Sequence, residues 1–352
     1  MRPARLWTTP SPHLLSGILM HDRFTHFGKL LAAALAAALV SSAAHAAETV
    51  RLAQNLAPIS GLTIIAKERG FFEKNGLDVV VSNFSSGREA LQTVLGGGAD
   101  VATTAEAPVT AAVFAGQKIA LLARMEYSDD KTLARTDAHI ATPADLRGKR
   151  IGFSAGTGSD IYTNTLLQRA GLKPGDVTLV NLRPQDMPAA LASGSIDAYD
   201  SWEPFISNGK KALGADAREL PTQGVYAETF NIVVEQAWLQ AHRTAAAAFL
   251  RALLEAEQWL KAHPDDAITT IAAATRMPRD DLAAIWHDYV FDLTLDARTL
   301  DTLQRHAQWR LATGNAPQGA ALPDFGRIVF SAPLAQVAAD RVRLPARAGN
   351  AQ

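Results

Sequence analysis

Residues 150–172 read RIGFSAGTGSDIYTNTLLQRAGL, and this stretch decides the fold. Residues 150–153 have the apolar, β-prone character of a buried strand, whereas residues 154–159 are rich in Gly, Ser and Thr and predict a turn. Apolar residues return at helical spacing from Asp160, and Gly171 stands where a left-handed helix C-cap is expected. The stretch therefore predicts a strand, a glycine-rich turn and a helix.

Such a turn directs backbone N–H groups and the positive end of a helix at one point, which favours an anionic ligand. Gly156 and Gly158 shape the turn, and the hydroxyls of Thr157 and Ser159 add neutral donors. The dinucleotide fingerprint fails because position 161 is Ile, and no Gly-Lys-Ser/Thr follows to make a P-loop. The sequence predicts an anion site of another kind.

Residues 152–156 also fit the G-x-S-x-G nucleophile elbow, which leaves a serine hydrolase as an alternative of another class. Its nucleophile is Ser154, and its later partners are an Asp, such as Asp197 or Asp200, and then His242. No HGGG-type oxyanion motif precedes the serine, so we expect a protein that is not an enzyme.

The composition of the chain further limits the classes of function that it can have. A chain of 352 residues has room for two domains, and its net charge of −1 gives no electrostatic reason to expect nucleic acid or an anionic membrane. Cysteine is absent from the sequence, which excludes disulfides, thiolate nucleophiles and a lipidated cysteine. The histidines lack metal-ligand spacing, so we expect neither a metal nor a cofactor.

The N-terminus has the pattern of an export signal. Basic residues up to Lys29 precede an apolar run over residues 30–40, and Ala44-His45-Ala46 is an A-x-A cleavage site. The run is shorter than the roughly 20 residues that a membrane span needs. We therefore interpret residues 1–46 as a signal peptide, with residues 1–19 as an upstream mis-start, and expect an exported, periplasmic product.

Strands alternate with helices along the first part of the exported chain. The patterns predict strands at 50–54, 77–84 and 100–104, and helices at 61–69 and 87–95. Strands joined by single helices imply a parallel sheet whose carboxyl-end loops open on one side. Ser60, Ser85, Ser86 and the 154–159 turn are therefore expected at one crevice.

A faint internal repeat suggests two similar lobes. Residues 90–101 resemble residues 189–198 in having a helix, a glycine stop and an Asp that leads a strand. Further elements are predicted as strands at 177–182 and 231–235 and as helices at 184–192, 244–261, 280–289 and 297–313, with another helix starting at Pro264. The segment after Ser331 is expected to be loosely ordered.

Four stretches of the sequence resemble segments of a known protein family, and the resemblance covers residues 50–260 in the same order and spacing. They are residues 61–81 (GLTIIAKERGFFEKNGLDVVV), 85–109 (SSGREALQTVLGGGADVATTAEAPV), 142–160 (TPADLRGKRIGFSAGTGSD) and 170–205 (AGLKPGDVTLVNLRPQDMPAALASGSIDAYDSWEPF). The chain resembles the periplasmic binding proteins of sulfonate, taurine and nitrate ABC importers, which are related to binders of thiamine-pyrimidine precursors. The related pyrimidine synthase is not expected, because it relies on a cysteine-rich iron site.

The resemblance implies an α/β, two-lobed periplasmic-binding-protein fold of type II, with two crossover segments and a ligand in the cleft. It implies a monomer whose closure an inner-membrane ABC permease recognises. The lobes are expected at 47–130 and 228–330 for the first and 131–227 for the second, with a tail at 331–352. The ligand-binding residues that we expect are Ser60, Ser85, Ser86, Arg88, Thr104, Glu106, Gly156, Thr157, Gly158, Ser159, Asp200, Trp202 and Glu203.

Asp200 departs from the family pattern, since many relatives carry an apolar or aromatic residue there. An aspartate about 4 Å from a bound anion would oppose it by about 4 kcal/mol at an effective dielectric near 20. We therefore predict a sulfonate with an amine or other donor, such as taurine, with nitrate or a heterocycle carrying exocyclic N–H groups as alternatives. Trp202 is expected to cover the apolar part of the ligand, whereas Ser85 and Ser86 have helix capping as a structural alternative.

Overall fold

The computed structural model describes residues 47–345, so the predicted signal peptide and residues 346–352 lie outside the described residues. The strands are β1 Glu48–Asn55, β2 Leu77–Phe84, β3 Val101–Ala105, β4 Ile119–Asp129, β5 Lys131–Arg135, β6 Arg150–Phe153, β7 Thr178–Asn181, β8 Ala198–Ser201, β9 Ala217–Glu219, β10 Ala227–Glu235, β11 Val290–Asp296 and β12 Val342–Arg343. The α-helices are α1 Gly61–Glu68, α2 Phe71–Lys74, α3 Gly87–Leu95, α4 Glu106–Phe114, α5 Gly158–Arg169, α6 Met187–Ala192, α7 Phe205–Leu213, α8 Gln236–Ala241, α9 Arg243–Ala262, α10 Pro264–Thr275, α11 Arg279–Ile285, α12 Ala297–Ala312 and α13 Ala332–Val337.

These strands form two sheets. The larger has the order β12-β11-β4-β10-β3-β1-β2, and the smaller has the order β7-β6-β8-β5-β9. The predicted parallel pairing is present in both sheets, since β1 pairs in parallel with β2 and β3 and β6 pairs in parallel with β7 and β8. The fold is therefore α/β with two sheets.

The chain passes between the sheets twice. It leaves the larger sheet after β4 and enters β5 through Asp130, and it returns between β9 and β10. β10 then runs antiparallel between β3 and β4, which confirms the prediction that a strand near residues 231–235 returns to the first lobe. Each sheet has its own buried apolar side chains, with one large cluster on the larger sheet and two smaller clusters on the other.

The internal repeat corresponds to a matching pair of contacts. Asp100 accepts hydrogen bonds from the backbone N–H and the guanidinium of Arg51, with the backbone contact at 2.8 Å. Asp197 accepts the same set from Arg150, again with the backbone contact at 2.8 Å. The Asp that follows each glycine stop therefore fixes the start of the neighbouring strand in both sheets.

The C-terminal segment differs from the prediction. Residues 332–337 form α13 with Leu334 fully buried, and β12 pairs with β11, so the expectation of loose order after Ser331 is wrong for this part. Leu334 belongs to the apolar cluster of the larger sheet, and its burial explains why this segment is ordered.

Candidate functional site

The glycine-rich turn between β6 and α5 is built from its own hydroxyls. Gly156 has a φ of +74°, a left-handed conformation that glycine adopts without steric cost. Thr157 Oγ1 donates to the carbonyl oxygen of Ser154 at 2.7 Å. Ser159 Oγ accepts from the backbone N–H of Ser154 at 3.1 Å and donates to the carbonyl oxygen of Asp200 at 2.7 Å. The hydroxyls predicted as ligand donors therefore brace the turn instead.

The N-terminus of α5 meets carboxylates of the protein itself. The carboxylate of Glu228 lies beside Gly158, whose backbone N–H acts to lower the pKa of Glu228. A Cβ at Gly158 would overlap Glu228 Oε1 and would lie 3.1 Å from Asp130 Oδ2, so a glycine fits here and a larger residue requires a shift. The point predicted for an anionic ligand therefore faces two acidic side chains from the crossover segments.

Glu106, at the start of α4, lies close to these two residues. Its Oε2 accepts from the backbone N–H of Thr229 at 2.8 Å and from Thr229 Oγ1 at 2.7 Å. Burial raises the pKa of Glu106 to about 7. Burial also raises the pKa values of Asp130 and Glu228 well above their usual range, and the charge of Glu106 adds to both shifts. We call Glu106, Asp130 and Glu228 the acidic cluster.

Asp200 is fully buried and held by two hydroxyls. Its Oδ1 accepts from Thr132 Oγ1 and its Oδ2 accepts from Thr163 Oγ1, both at 2.6 Å. Burial raises the pKa of Asp200 to about 7, although both hydrogen bonds act in the opposite direction. The side chain therefore ties β8 to β5 and α5, which gives it a structural role that the sequence did not indicate.

The two residues that follow β8 are also buried. The indole of Trp202 packs edge-on against Phe205, with the ring centroids 5.7 Å apart. Glu203 Oε2 accepts from the backbone N–H of Ser207 at 2.9 Å, and Oε1 lies 3.6 Å from Lys131 Nζ. Glu203 therefore satisfies the start of α7, which matches the helix-start role considered for it in the sequence.

At the start of α3, Ser85 and Ser86 both take part in helix capping, which was the structural alternative to ligand binding. Ser86 Oγ accepts from the backbone N–H of Glu89 at 3.3 Å, and Ser85 Oγ donates to Glu89 Oε2 at 2.8 Å. Arg88, in the first turn of the same helix, is exposed, and its Nη1 donates to the carbonyl oxygen of Ala155 at 3.4 Å. Arg88 therefore links the larger sheet's helix to the glycine-rich turn of the other sheet.

Ser60 and Thr104 lie at the carboxyl-end side of the larger sheet. Ser60 Oγ is 3.2 Å from Thr103 Oγ1, which also accepts from the backbone N–H of Asn55 at 2.9 Å. Thr104 is fully buried beside the start of α3, where a Cβ at Gly87 would lie 2.8 Å from its Cα. The structure thus places the predicted residues of the first lobe along one side of the larger sheet.

A sequence profile of the family described as NMT1/THI5 like matches residues 58–267. The chain belongs to this family.

Relatives and solved structures agree with the fold. A taurine-binding periplasmic protein of Escherichia coli is 26% identical over 229 residues, which cover 61% of this chain and 69% of that protein. The alkanesulfonate-binding protein of Xanthomonas axonopodis pv. citri, bound to MOPS, has a TM-score of 0.70 at 21% identity and covers 80% of this chain and 98% of its own. The nitrate-binding protein of Synechocystis PCC 6803 has a TM-score of 0.71 at 17% identity and covers 86% and 92%. The two-lobed periplasmic-binding-protein fold predicted from the sequence is confirmed.

In this member of the NMT1/THI5-like family, the residues named as partners of Ser154 in the hydrolase alternative are engaged by other side chains. His242 Nδ1 lies 2.7 Å from Glu48 Oε1, and Asp197 is engaged by Arg150. Asp200, the other candidate partner, is engaged by two threonines. Within residues 47–345, no group of three His, Asp or Glu is placed to hold a metal ion, and no helix is long and apolar enough to cross a membrane.

Two members of the acidic cluster were missed in the sequence. Asp130 follows another aspartate in a segment without motif, and Glu228 precedes the apolar run that predicted only the later part of β10. In the sequence, these two residues could have been identified only by the position of a carboxylate next to an apolar strand. Such a position is informative because a buried charge requires a partner or a function.

Proposed function

We propose that the chain is the substrate-binding component of an ABC importer and holds a small sulfonate-type solute, taurine-like in size, between its two lobes. Family membership and the names of the taurine-binding and alkanesulfonate-binding proteins support this proposal. The observation that carries it is the convergence of Arg88 and Glu228 from the larger sheet with the glycine-rich turn of the other. Polar groups from both lobes meet there, as a closing receptor requires.

The lobe boundaries follow from the passage of the chain between the sheets. We assign residues 47–130 and 228–330 to one lobe, extended by α13 and β12 because both pack with the larger sheet, and residues 131–227 to the other, because strand membership changes near residues 130 and 227. The word periplasmic in the name of the taurine-binding relative supports the same location for this chain. We propose that residues 1–46 are a cleaved signal peptide and that the unlipidated monomer docks on an inner-membrane permease.

Charge is distributed along the turn in a way that suits a solute with two different ends. A Cβ at Gly156 would lie 3.7 Å from Arg88 Cδ, whereas the same addition at Gly158 meets the carboxylates of Glu228 and Asp130. We assign the sulfonate to the side of Arg88, the one exposed cation among the predicted ligand-binding residues that the structure describes. We propose that the side chain of Trp202 covers the apolar part of the solute.

A thermal-shift screen of the purified protein tests the proposal. The panel contains taurine, alkane- and arylsulfonates, sulfate, nitrate and thiamine-pyrimidine precursors. A ligand at a hundred times its dissociation constant adds about 2.7 kcal/mol to the free energy of unfolding, which raises the melting temperature measurably. We expect a shift with sulfonates, whereas a shift with nitrate or the pyrimidines alone would contradict the sulfonate assignment and leave a solute receptor.

A further inference from the structure

We propose that the larger sheet carries a second binding site, separate from the cleft between the lobes, and that this site takes an aromatic anion such as an aromatic carboxylate. The site is a pocket of about 610 Å³ beside β4, β11 and the end of α9. The residues that line it fall within segments 124–127 and 260–298, so it includes neither the glycine-rich turn nor any residue of the smaller sheet. The inference goes beyond the proposed function and does not depend on it.

Three aromatic side chains line the pocket and pack against one another. The ring centroids of Trp286 and Phe291 are 5.4 Å apart, and those of Tyr289 and Phe291 are 6.0 Å apart. Val290, which also lines the pocket, is 38% exposed. A volume of this size, with aromatic walls and accessible apolar surface, favours a flat apolar ligand.

The carboxylates in and around the pocket are already engaged by cations. Asp296 Oδ2 accepts from Arg124 Nη2 at 2.8 Å, and Asp292 Oδ1 accepts from Arg341 Nη1 at 2.8 Å. Lys261, a third cation beside the pocket, lies with its Nζ 2.6 Å from the carboxylate of the buried Glu257. These pairs neutralise one another, so the remaining charge of the pocket is set by Arg298.

Arg298 is an exposed cation that has no carboxylate partner within the described residues 47–345. Its Cζ lies 4.2 Å from the centroid of the Tyr127 ring, and this stacking holds the guanidinium at the pocket. Arg298 also lies in the first turn of α12, where the helix dipole disfavours a cation. Its charge is therefore unfavourable for the helix and is available to an anion.

Arg124 adds positive charge against the same ring. Its Cζ lies 5.2 Å from the Tyr127 centroid, and its side chain is 1% exposed. Among residues 47–345, its Nε and Nη1 have no hydrogen-bond acceptor. A buried guanidinium with two unpaired nitrogens leaves the pocket short of acceptors. Together with Arg298 and the aromatic side chains, it fits a ligand that has an anionic group on a flat apolar body.

The segment that forms most of this pocket is separate from the part of the chain that the family profile matches. The profile ends at residue 267, whereas the three aromatic side chains and Arg298 lie between residues 286 and 298. The site is therefore inferred from the residues of this chain alone.

The test compares 2-naphthoate with 2-naphthamide, which has the same ring system but no charge, by titration calorimetry on the whole protein. We expect 2-naphthoate to bind at least about fivefold more tightly than the amide. Arg298→Gln should reduce this preference towards one, and Trp286→Leu should weaken the binding of both compounds by about two- to tenfold. Arg251→Gln removes an exposed cation from α9 outside the pocket and should change neither result.

Thermal denaturation of each variant checks that it is folded. Binding of 2-naphthoate that Arg298→Gln and Trp286→Leu leave unchanged would overturn the inference, because the ligand would then lie elsewhere. Equal binding of the acid and the amide, or no saturable binding of 2-naphthoate up to about 1 mM, would also overturn it. Each of these outcomes leaves the proposed solute receptor standing, since the thermal-shift screen tests that function separately.

Discussion

Replacing Glu106 by Gln is expected to stabilise the ligand-free protein increasingly as the pH rises. Burial raises the pKa of Glu106 from 4.5 to about 7, so the folded protein holds this proton more tightly than the unfolded chain does. The stability contributed by the protonated carboxyl is complete below about pH 4.5 and is lost as the pH rises through about 7. Gln imitates the protonated form, and its amide oxygen can still accept from Thr229.

The magnitude follows from the size of the shift. A change of about 2.5 pKa units corresponds to about 3 kcal/mol, since each unit contributes about 1.4 kcal/mol. The difference in the free energy of unfolding between Glu106→Gln and the unmodified protein should therefore grow by about this amount between about pH 4.5 and about pH 8. Arg305 opposes part of the shift through its positive charge, but burial is the largest cause.

Urea denaturation at a series of pH values measures this difference. Titrating groups that Glu106 does not influence cancel in the comparison, whereas Asp130 and Glu228, whose pKa values the charge of Glu106 raises, change the difference in the same direction. Glu68→Gln, which replaces an exposed carboxylate, serves as the control and should show little change with pH. A pH-independent difference for Glu106→Gln would refute the reasoning, because it would mean that Glu106 ionises in the folded protein without a penalty.

Two further substitutions test the surroundings of the site. Thr163→Val removes a donor from the buried carboxylate of Asp200 and should lower the free energy of unfolding by about 2 kcal/mol in urea denaturation. Thr165→Val, on the same helix but bonded only to a backbone carbonyl, is the control, and an equal loss there would contradict the role of Asp200. Gly87→Ala should cost about 1–3 kcal/mol by overpacking against β3. Gly175→Ala, which has open space around it, should be neutral or slightly stabilising; the same melting temperature for both variants would show that α3 moves aside freely.

The local elements were predictable because short-range chemistry decides them. The strand at residues 77–84 matches its predicted bounds, and α3 ends at Leu95 before the glycine stop as expected. Gly171 has a φ of +69° just beyond α5, so the left-handed C-cap is confirmed. β4, β5 and β11 were not predicted, and they pair antiparallel with strands that are distant in sequence.

The sequence predicted where the candidate site lies, but it did not predict which side chains contact one another there. The sequence indicated that the turn after β6 is a convergence point, and the structure brings Arg88 into contact with it. It could not indicate that Asp130 and Glu228 approach Gly158, because this depends on how two crossovers pack together. For the same reason, Asp200 was interpreted as facing a ligand, whereas two threonines occupy both of its oxygens.

The two crossovers lie side by side. Pairing between β4 and β10 continues to Ala227 and Asp129, so the connecting chains leave the larger sheet as one hydrogen-bonded ribbon. Such a ribbon can twist or bend, but it resists the sliding of one chain past the other, which would break its ladder. Relative motion of the two lobes is thereby limited to twisting and bending of this ribbon. A pair of spectroscopic labels, one on each lobe, would report such motion as a change in the distance between them.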